Sequence, residues 1–89
     1  MHRIDLIVEN KLGLHARASA KLTQLASSYQ SEIFIAKGER RVNAKSIMGV
    51  MMLAAGKGST VTVDAVGADA QTALDSIRDL FAQKFGEGE

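Results

Sequence analysis

Cysteine is absent from the 89 residues. That excludes a disulfide framework, a thiolate nucleophile and a cysteine-rich zinc site. It also fits a reducing compartment, and the expected location is cytoplasmic. Aromatic residues make up only 4% of the chain. Base-stacking platforms need more than that, which disfavours a small RNA-binding α/β domain working through an open sheet face. No charge sign dominates: 11 Lys and Arg stand against 10 Asp and Glu, for a net charge of +1. Nucleic-acid-binding domains carry a far more basic face, so no nucleic-acid partner is expected. The two histidines, His2 and His15, have no cysteine and no close carboxylate pair to complete a tetrahedral set, so no metal is expected. Long apolar runs are missing too. The longest, Ile47 to Ala55, is interrupted by Gly49 and is far too short to span a bilayer. Met1-His2-Arg3-Ile4-Asp5 does not read as a signal peptide, because charge interrupts it before an apolar core forms. With no linker and no repeat, residues 1–89 are expected to form one domain, stable by about 5–10 kcal/mol.

What is present is periodicity. Ile4, Leu6 and Val8 alternate with Asp5 and Glu9, predicting a half-buried strand over Arg3 to Glu9. Ile7 breaks the polar alternation, which predicts partial cover over the outer face there. Ala18, Leu22, Leu25, Ala26 and Tyr29 form the apolar stripe of a helix from about Ala16 to Ser27. Glu32 to Lys37 and Arg40 to Ala44 read as a hairpin turning at Gly38. Ser46 reads as the N-cap of a short helix from Ile47 to about Leu53, ended by Gly56-Lys57-Gly58. Thr60 to Val66 alternates clearly as a strand. Asp69 then caps a final helix with the stripe Ala70, Ala73, Leu74, Ile77, Leu80 and Phe81. Gly86 is the expected C-cap, and Glu87-Gly88-Glu89 is expected to fray. The order βαββαβα predicts an α+β open-faced sandwich, with a four-stranded sheet carrying its helices on one face.

The stretch Gly13-Leu14-His15-Ala16-Arg17 puts an imidazole and a guanidinium where a loop becomes a helix. His15 falls at or beside the N-cap. The first N–H groups of a helix lack internal partners, and the peptide dipoles leave partial positive charge there. An anion beside His15 meets those donors and Arg17, whose fork matches phosphate oxygens. A neutral imidazole is a competent nucleophile near pH 7. The pattern suits a histidine that accepts a phosphoryl group and passes it on. A hydrolase triad fits poorly, since no Asp or Glu near His15 in sequence orients it and no nucleophile stands beside it.

In the short helix, Val50 and Leu53 share one side while Ile47, Met48 and Met51 share another. So short a helix cannot bury both, which predicts an exposed apolar patch for partner docking. Methionines adapt to several partners. Lys45 and Lys21 either ring that patch and steer acidic partners or are simply solvated.

Gly13-Leu14-His15-Ala16-Arg17, followed at a long interval by Ala44-Lys45-Ser46-Ile47-Met48-Gly49-Val50, resembles HPr, the histidine-containing phosphocarrier of the bacterial sugar phosphotransferase system. The resemblance covers size, element order and both motifs. It implies that His15 accepts the phosphoryl group on Nδ1 and that Arg17 pairs with its oxygens. It implies phosphorylated enzyme I as donor and sugar-specific permease subunits or regulatory proteins as acceptors. It also implies a regulatory serine site at Ser46, served by a serine kinase/phosphorylase. The chain would act as a monomeric phosphocarrier without a bound cofactor, rather than as a stand-alone enzyme. One position departs: Ala18 stands where the family usually has proline. Alanine is the best helix former, so the helix start is expected to survive. Two further readings are a nitrogen-related phosphotransferase paralogue with a signalling role and a regulatory adaptor acting through phosphorylated Ser46 with His15 idle. The Lys45-Ser46-Ile47-Met48 segment favours the sugar-type member.

Overall fold

Alternation along four strands builds the sheet. The computed structural model describes residues 2–88. In chain order it contains β1 (His2–Ile7), α1 (Ala16–Ser27), β2 (Glu32–Lys37), β3 (Arg40–Asn43), α2 (Ile47–Met51), β4 (Thr60–Val66), α3 (Ala70–Ala82) and a single turn at Lys84–Gly86. The strand order is β1-β4-β2-β3, and every neighbouring pair is antiparallel. Pairing Ile4 with Val63, Leu6 with Val61 and Ile35 with Val63 puts the branched side chains on one face. Ala18, Leu22 and Ala26 of α1, Val50 of α2 and Ala73, Leu74, Ile77 and Phe81 of α3 close over them. The α+β open-faced sandwich is therefore as the sequence predicts.

The open face carries its own local order. Phe34 and Asp64 lie opposite each other on β2 and β4. Arg41 reaches over from β3, 3.9 Å above the Phe34 ring. Its Nε and Nη2 donate to the two Asp64 carboxylate oxygens at 3.2 and 2.8 Å. The guanidinium thus covers the one aromatic ring that this face presents, and Asp64 holds the guanidinium there.

Several boundaries differ from expectation. The first strand is His2–Ile7 instead of Arg3 to Glu9, although the Val8 N–H still donates to the Ser59 carbonyl. Ile7 is 55% exposed, so the outer face there is mostly open to solvent and carries less cover than its apolar character predicts. The third strand stops at Asn43, one residue before Ala44. The second helix ends at Met51, because the next bonds tighten to i→i−3 at Leu53 and Ala54. Ala54, with φ of 50°, then turns the chain before Gly56 is reached. Asp69 stands at the start of α3 but does not cap it with its side chain. Its carboxylate accepts instead from the Gln30 N–H (2.9 Å), the Ser31 N–H (3.0 Å) and the Ser31 hydroxyl (2.5 Å). Gly67 allows this approach, since a Cβ there would stand 2.7 Å from the Ser31 Cα. Gly86 is not the C-cap of α3 either, because Gln83 takes that position.

Asp69 staples the α1–β2 connection to the β4–α3 connection. The Ser31 hydroxyl, with help from the Gln30 and Ser31 N–H groups, holds its carboxyl below the usual carboxylate range. A carboxyl lowered on folding adds stability above its unfolded pKa, and that stability is lost as pH falls through the folded value. Asp69→Asn should therefore lower Tm at pH 7. The gap to the parent protein should close in melts taken at progressively lower pH, below about 4.

Candidate functional site

The site is made by three segments that are far apart in sequence. In the first, Asn10 is fully buried and shapes the loop before α1: its carbonyl accepts from the Gly13 N–H and its amide donates to the Gly13 carbonyl at 2.7 Å. Gly13 sits at φ of +66°, where a Cβ would stand 2.5 Å from the Ala55 carbonyl oxygen. The Leu14 N–H then donates to that same oxygen at 2.9 Å. The second segment, the turn after α2, is thus backbone-to-backbone with the loop that presents His15.

His15 is the N-cap residue of α1, with extended backbone and no side-chain capping bond, so its imidazole is released from the helix. Its carbonyl accepts the first helical bond, from the Ser19 N–H at 2.8 Å. The Ser19 hydroxyl turns back to the Leu14 carbonyl at 3.0 Å and fixes the corner from inside. Ala18 is fully buried and α1 runs unbroken from Ala16, so alanine starts this helix without proline.

The third segment brings the residue that sequence reasoning missed. Glu87 does not fray: its Oε2 lies 2.5 Å from His15 Nε2, and its Oε1 accepts from the Asn10 amide at 3.0 Å. Glu89 lies outside the described residues. The chain reaches the site through Lys84, Phe85 and Gly86, with φ of 54°, 56° and 75°. Phe85 is buried, its ring 4.9 Å from that of Phe81. A signal for this was present: Phe81 and Phe85 are i and i+4, so the apolar stripe of α3 extends beyond its observed end at Ala82. Burial opposes ionisation of Glu87, but hydrogen bonds from His15 and Asn10, with the charges of His15 and Lys21, outweigh it and lower its pKa.

Lys11, Leu12, His15, Ala16, Arg17, Gly86 and Glu87 line an open cleft of about 610 Å³. The arrangement joins an imidazole whose Nε2 faces a carboxylate, a guanidinium from the first turn of α1, and the open donors of that twelve-residue helix. A carboxylate on Nε2 favours the tautomer with its proton there and its lone pair on Nδ1. No acid near His15 in sequence faces it, as expected, but the fold brings Glu87 to it from 72 residues away. The lining residues include no hydroxyl or thiol; the nitrogen groups among them that can act as nucleophiles are the His15 imidazole and the Lys11 amine.

The apolar residues of α2 divide as the sequence predicts. Val50 and Leu53 are buried, whereas Ile47, Met48, Met51 and Met52 are exposed, Met48 by 69%. Ser46 caps the helix by accepting from the Gly49 N–H at 3.1 Å. Lys45 and Lys21 are half-buried and bonded to carbonyls, of Tyr29 at 2.8 Å and of Phe85 at 2.5 Å, so neither is a free surface charge. Among the described residues no group of His, Cys, Asp and Glu is placed to hold a metal ion, and no helix is long and apolar enough to cross a membrane.

A family model described as the PTS HPr component phosphorylation site matches residues 3–83. The chain belongs to the HPr family of the phosphotransferase system. It is 60% identical over 85 residues to the phosphocarrier protein HPr of Cupriavidus necator, covering 96% of each chain. It is 50% identical over 78 residues to the phosphocarrier protein NPr of Shewanella violacea, covering 88% of this chain and 86% of that one. Its structure matches the crystal structure of HPr from Thermoanaerobacter tengcongensis with a TM-score of 0.95 at 42% identity, over 98% of both chains.

In this chain the loop geometry rests on Gly13. Gly13→Ala forces a left-handed alanine against the Ala55 carbonyl. It should cost about 1–3 kcal/mol in urea unfolding. The imidazole signals of His15 should shift with it in NMR spectra.

Proposed function

We propose that this chain is the sugar-type phosphocarrier: His15 takes a phosphoryl group from phosphorylated enzyme I and yields it to sugar-specific permease subunits or regulatory proteins. The observation that carries the reading is the pairing of His15 Nε2 with Glu87 beside Arg17, at the open start of α1. With the proton held on Nε2, Nδ1 attacks the phosphorus of the donor's phosphohistidine. The new P–N bond forms as the donor's P–N bond breaks; the donor ring, protonated on its other nitrogen, leaves as neutral imidazole, so no proton need move between the two histidines. Arg17 and the α1 amides meet the charge on the phosphoryl oxygens, so transfer relies on positioning and electrostatics. Family membership and 60% identity to a protein named HPr, against 50% to one named NPr, support this reading over a signalling paralogue.

Docking uses the exposed face of α2, where Ile47, Met48 and Met51 form an apolar surface on a capped helix. Ser46 stands at the start of that face. A phosphate placed on it by a serine kinase adds roughly −1.5 to −2 charge beside Ile47 and Met48 and blocks docking, while the helix dipole tolerates it. The carrier works as a monomer in the cytoplasm.

Incubation with phosphoenolpyruvate, Mg²⁺ and enzyme I should add one acid-labile phosphate, seen by intact mass and absent in His15→Ala. Arg17→Ala should slow transfer by about 10–100-fold, the value of a charged hydrogen bond to phosphate. Acid-stable phosphate alone, made only with ATP and a kinase and lost in Ser46→Ala, would instead support the adaptor reading. Met48→Asp should weaken binding to enzyme I by about tenfold or more, measured by calorimetry, with Tm little changed because Met48 faces solvent.

A further inference from the structure

Lys21 lies on α1, outside the cleft lining, and is not used by the transfer step. Its ammonium nevertheless donates to the Phe85 carbonyl at 2.5 Å, and it sits 3.4 Å from where a Cβ on Gly86 would be. It therefore grips the turn in which Lys84, Phe85 and Gly86 all adopt left-handed backbone, φ 54°, 56° and 75°. Lysine and phenylalanine rarely hold such a conformation, so surrounding contacts must impose it. Two contacts do so. The buried Phe85 ring packs on Phe81 from inside, and Lys21 binds the carbonyl from outside. The next residue is Glu87, already delivered to Asn10 and His15. The charge of Lys21 also favours the ionised form of Glu87.

We propose that Lys21 is a positioning residue for phosphoryl transfer: by latching the 84–86 turn it keeps Glu87 on Nε2 of His15 and so keeps the lone pair on Nδ1. This rests on His15 being the phosphoacceptor. Lys21 touches neither the imidazole nor the incoming phosphoryl group; it acts through the turn. Ile47, Met48 and Met51, the docking residues proposed above, are not part of the latched turn, so the latch is assigned to the chemical step.

The test uses the full chain with ¹⁵N-labelled histidine, observed at about pH 8.5, where an ordinary imidazole is neutral. Lys21→Met removes the charge and donor but keeps the stem; Lys21→Arg restores both, and Glu87→Gln removes the far end of the relay. In the parent protein the two ring nitrogens of His15 should appear as a protonated Nε2 and an unprotonated Nδ1. In Lys21→Met and Glu87→Gln their shifts should move toward each other as the tautomers exchange, and Lys21→Arg should return them. In transfer from phosphorylated enzyme I, kcat of Lys21→Met should fall about fivefold with KM unchanged. Parent-like shifts in Lys21→Met overturn the proposal, as does a loss confined to KM or an unchanged kcat. If the parent protein takes no acid-labile phosphate at His15, the phosphocarrier reading fails, while the ¹⁵N shifts still report separately on whether Lys21 sets the tautomer.

Discussion

The loop ahead of α1 and the turn behind α2 meet backbone to backbone, with Gly13 against Ala55 and Gly56 and the Leu14 N–H on the Ala55 carbonyl. No side chain intervenes, and none can: a Cβ on Gly13 would overlap the carbonyl it faces. One backbone hydrogen bond contributes only about 1 kcal/mol net. Its structural consequence is larger, because it fixes where α1 starts and therefore where the His15 imidazole emerges. It also ties the apolar helix α2 to the His15 loop through the three residues Met52 to Ala54. The imidazole and the methionine-rich face belong to one mechanical unit for this reason.

That unit was partly visible in the sequence. A glycine, a histidine and an arginine at the start of a 3.6-period stripe mark a loop-to-helix corner, because each residue type has a local reason to be there. Ser46 was legible in the same way, since a serine before an apolar run caps a helix through its own next turn. Asp69 shows where local reasoning stops. An aspartate ahead of a helix reads as a cap, yet its carboxylate serves two N–H groups and a hydroxyl of a connection nearly forty residues away. Three donors outcompete one, and only the folded chain brings them together. Glu87 was hidden for the same reason. Gly86-Glu87-Gly88 has the composition of a frayed end, while its placement comes from a buried phenylalanine and a lysine on another helix. Ile7 errs in the opposite sense: an apolar residue on the open face simply faces solvent, as many do.

A five-residue helix does not stand alone in water. What keeps α2 in place is a set of polar contacts around an otherwise apolar element. Ser46 closes its start, and Lys45 anchors the preceding residue to the end of α1 through the Tyr29 carbonyl. Past its end, Arg40 donates to the Met52 carbonyl at 3.0 Å and Lys37 to the Ala54 carbonyl at 3.2 Å. Both cations come from the β2–β3 hairpin and meet carbonyls that the helix leaves open, at the negative end of its dipole. Val50 and Leu53 then supply burial on one side. The exposed methionines are consequently displayed on a fixed support, and an adaptable side chain on a fixed backbone suits a surface that meets several partners.

A carrier also has to release what it takes, and the charges around His15 bear on that. Arg17 and the amides at the start of α1 favour an anion in the cleft. Glu87, in the same cleft, disfavours one while holding the Nε2 proton. Two unit charges about 6 Å apart at an effective dielectric of about 20 interact by roughly 3 kcal/mol. Arg17 is exposed, so solvent screens its charge and a site with the arginine alone would be biased toward retention by less than that. A carboxylate of opposite effect offsets most of this bias. In the proposed transfer the same group would therefore act twice, orienting the His15 imidazole through its hydrogen bond and opposing, through its charge, the retention of a phosphoryl group.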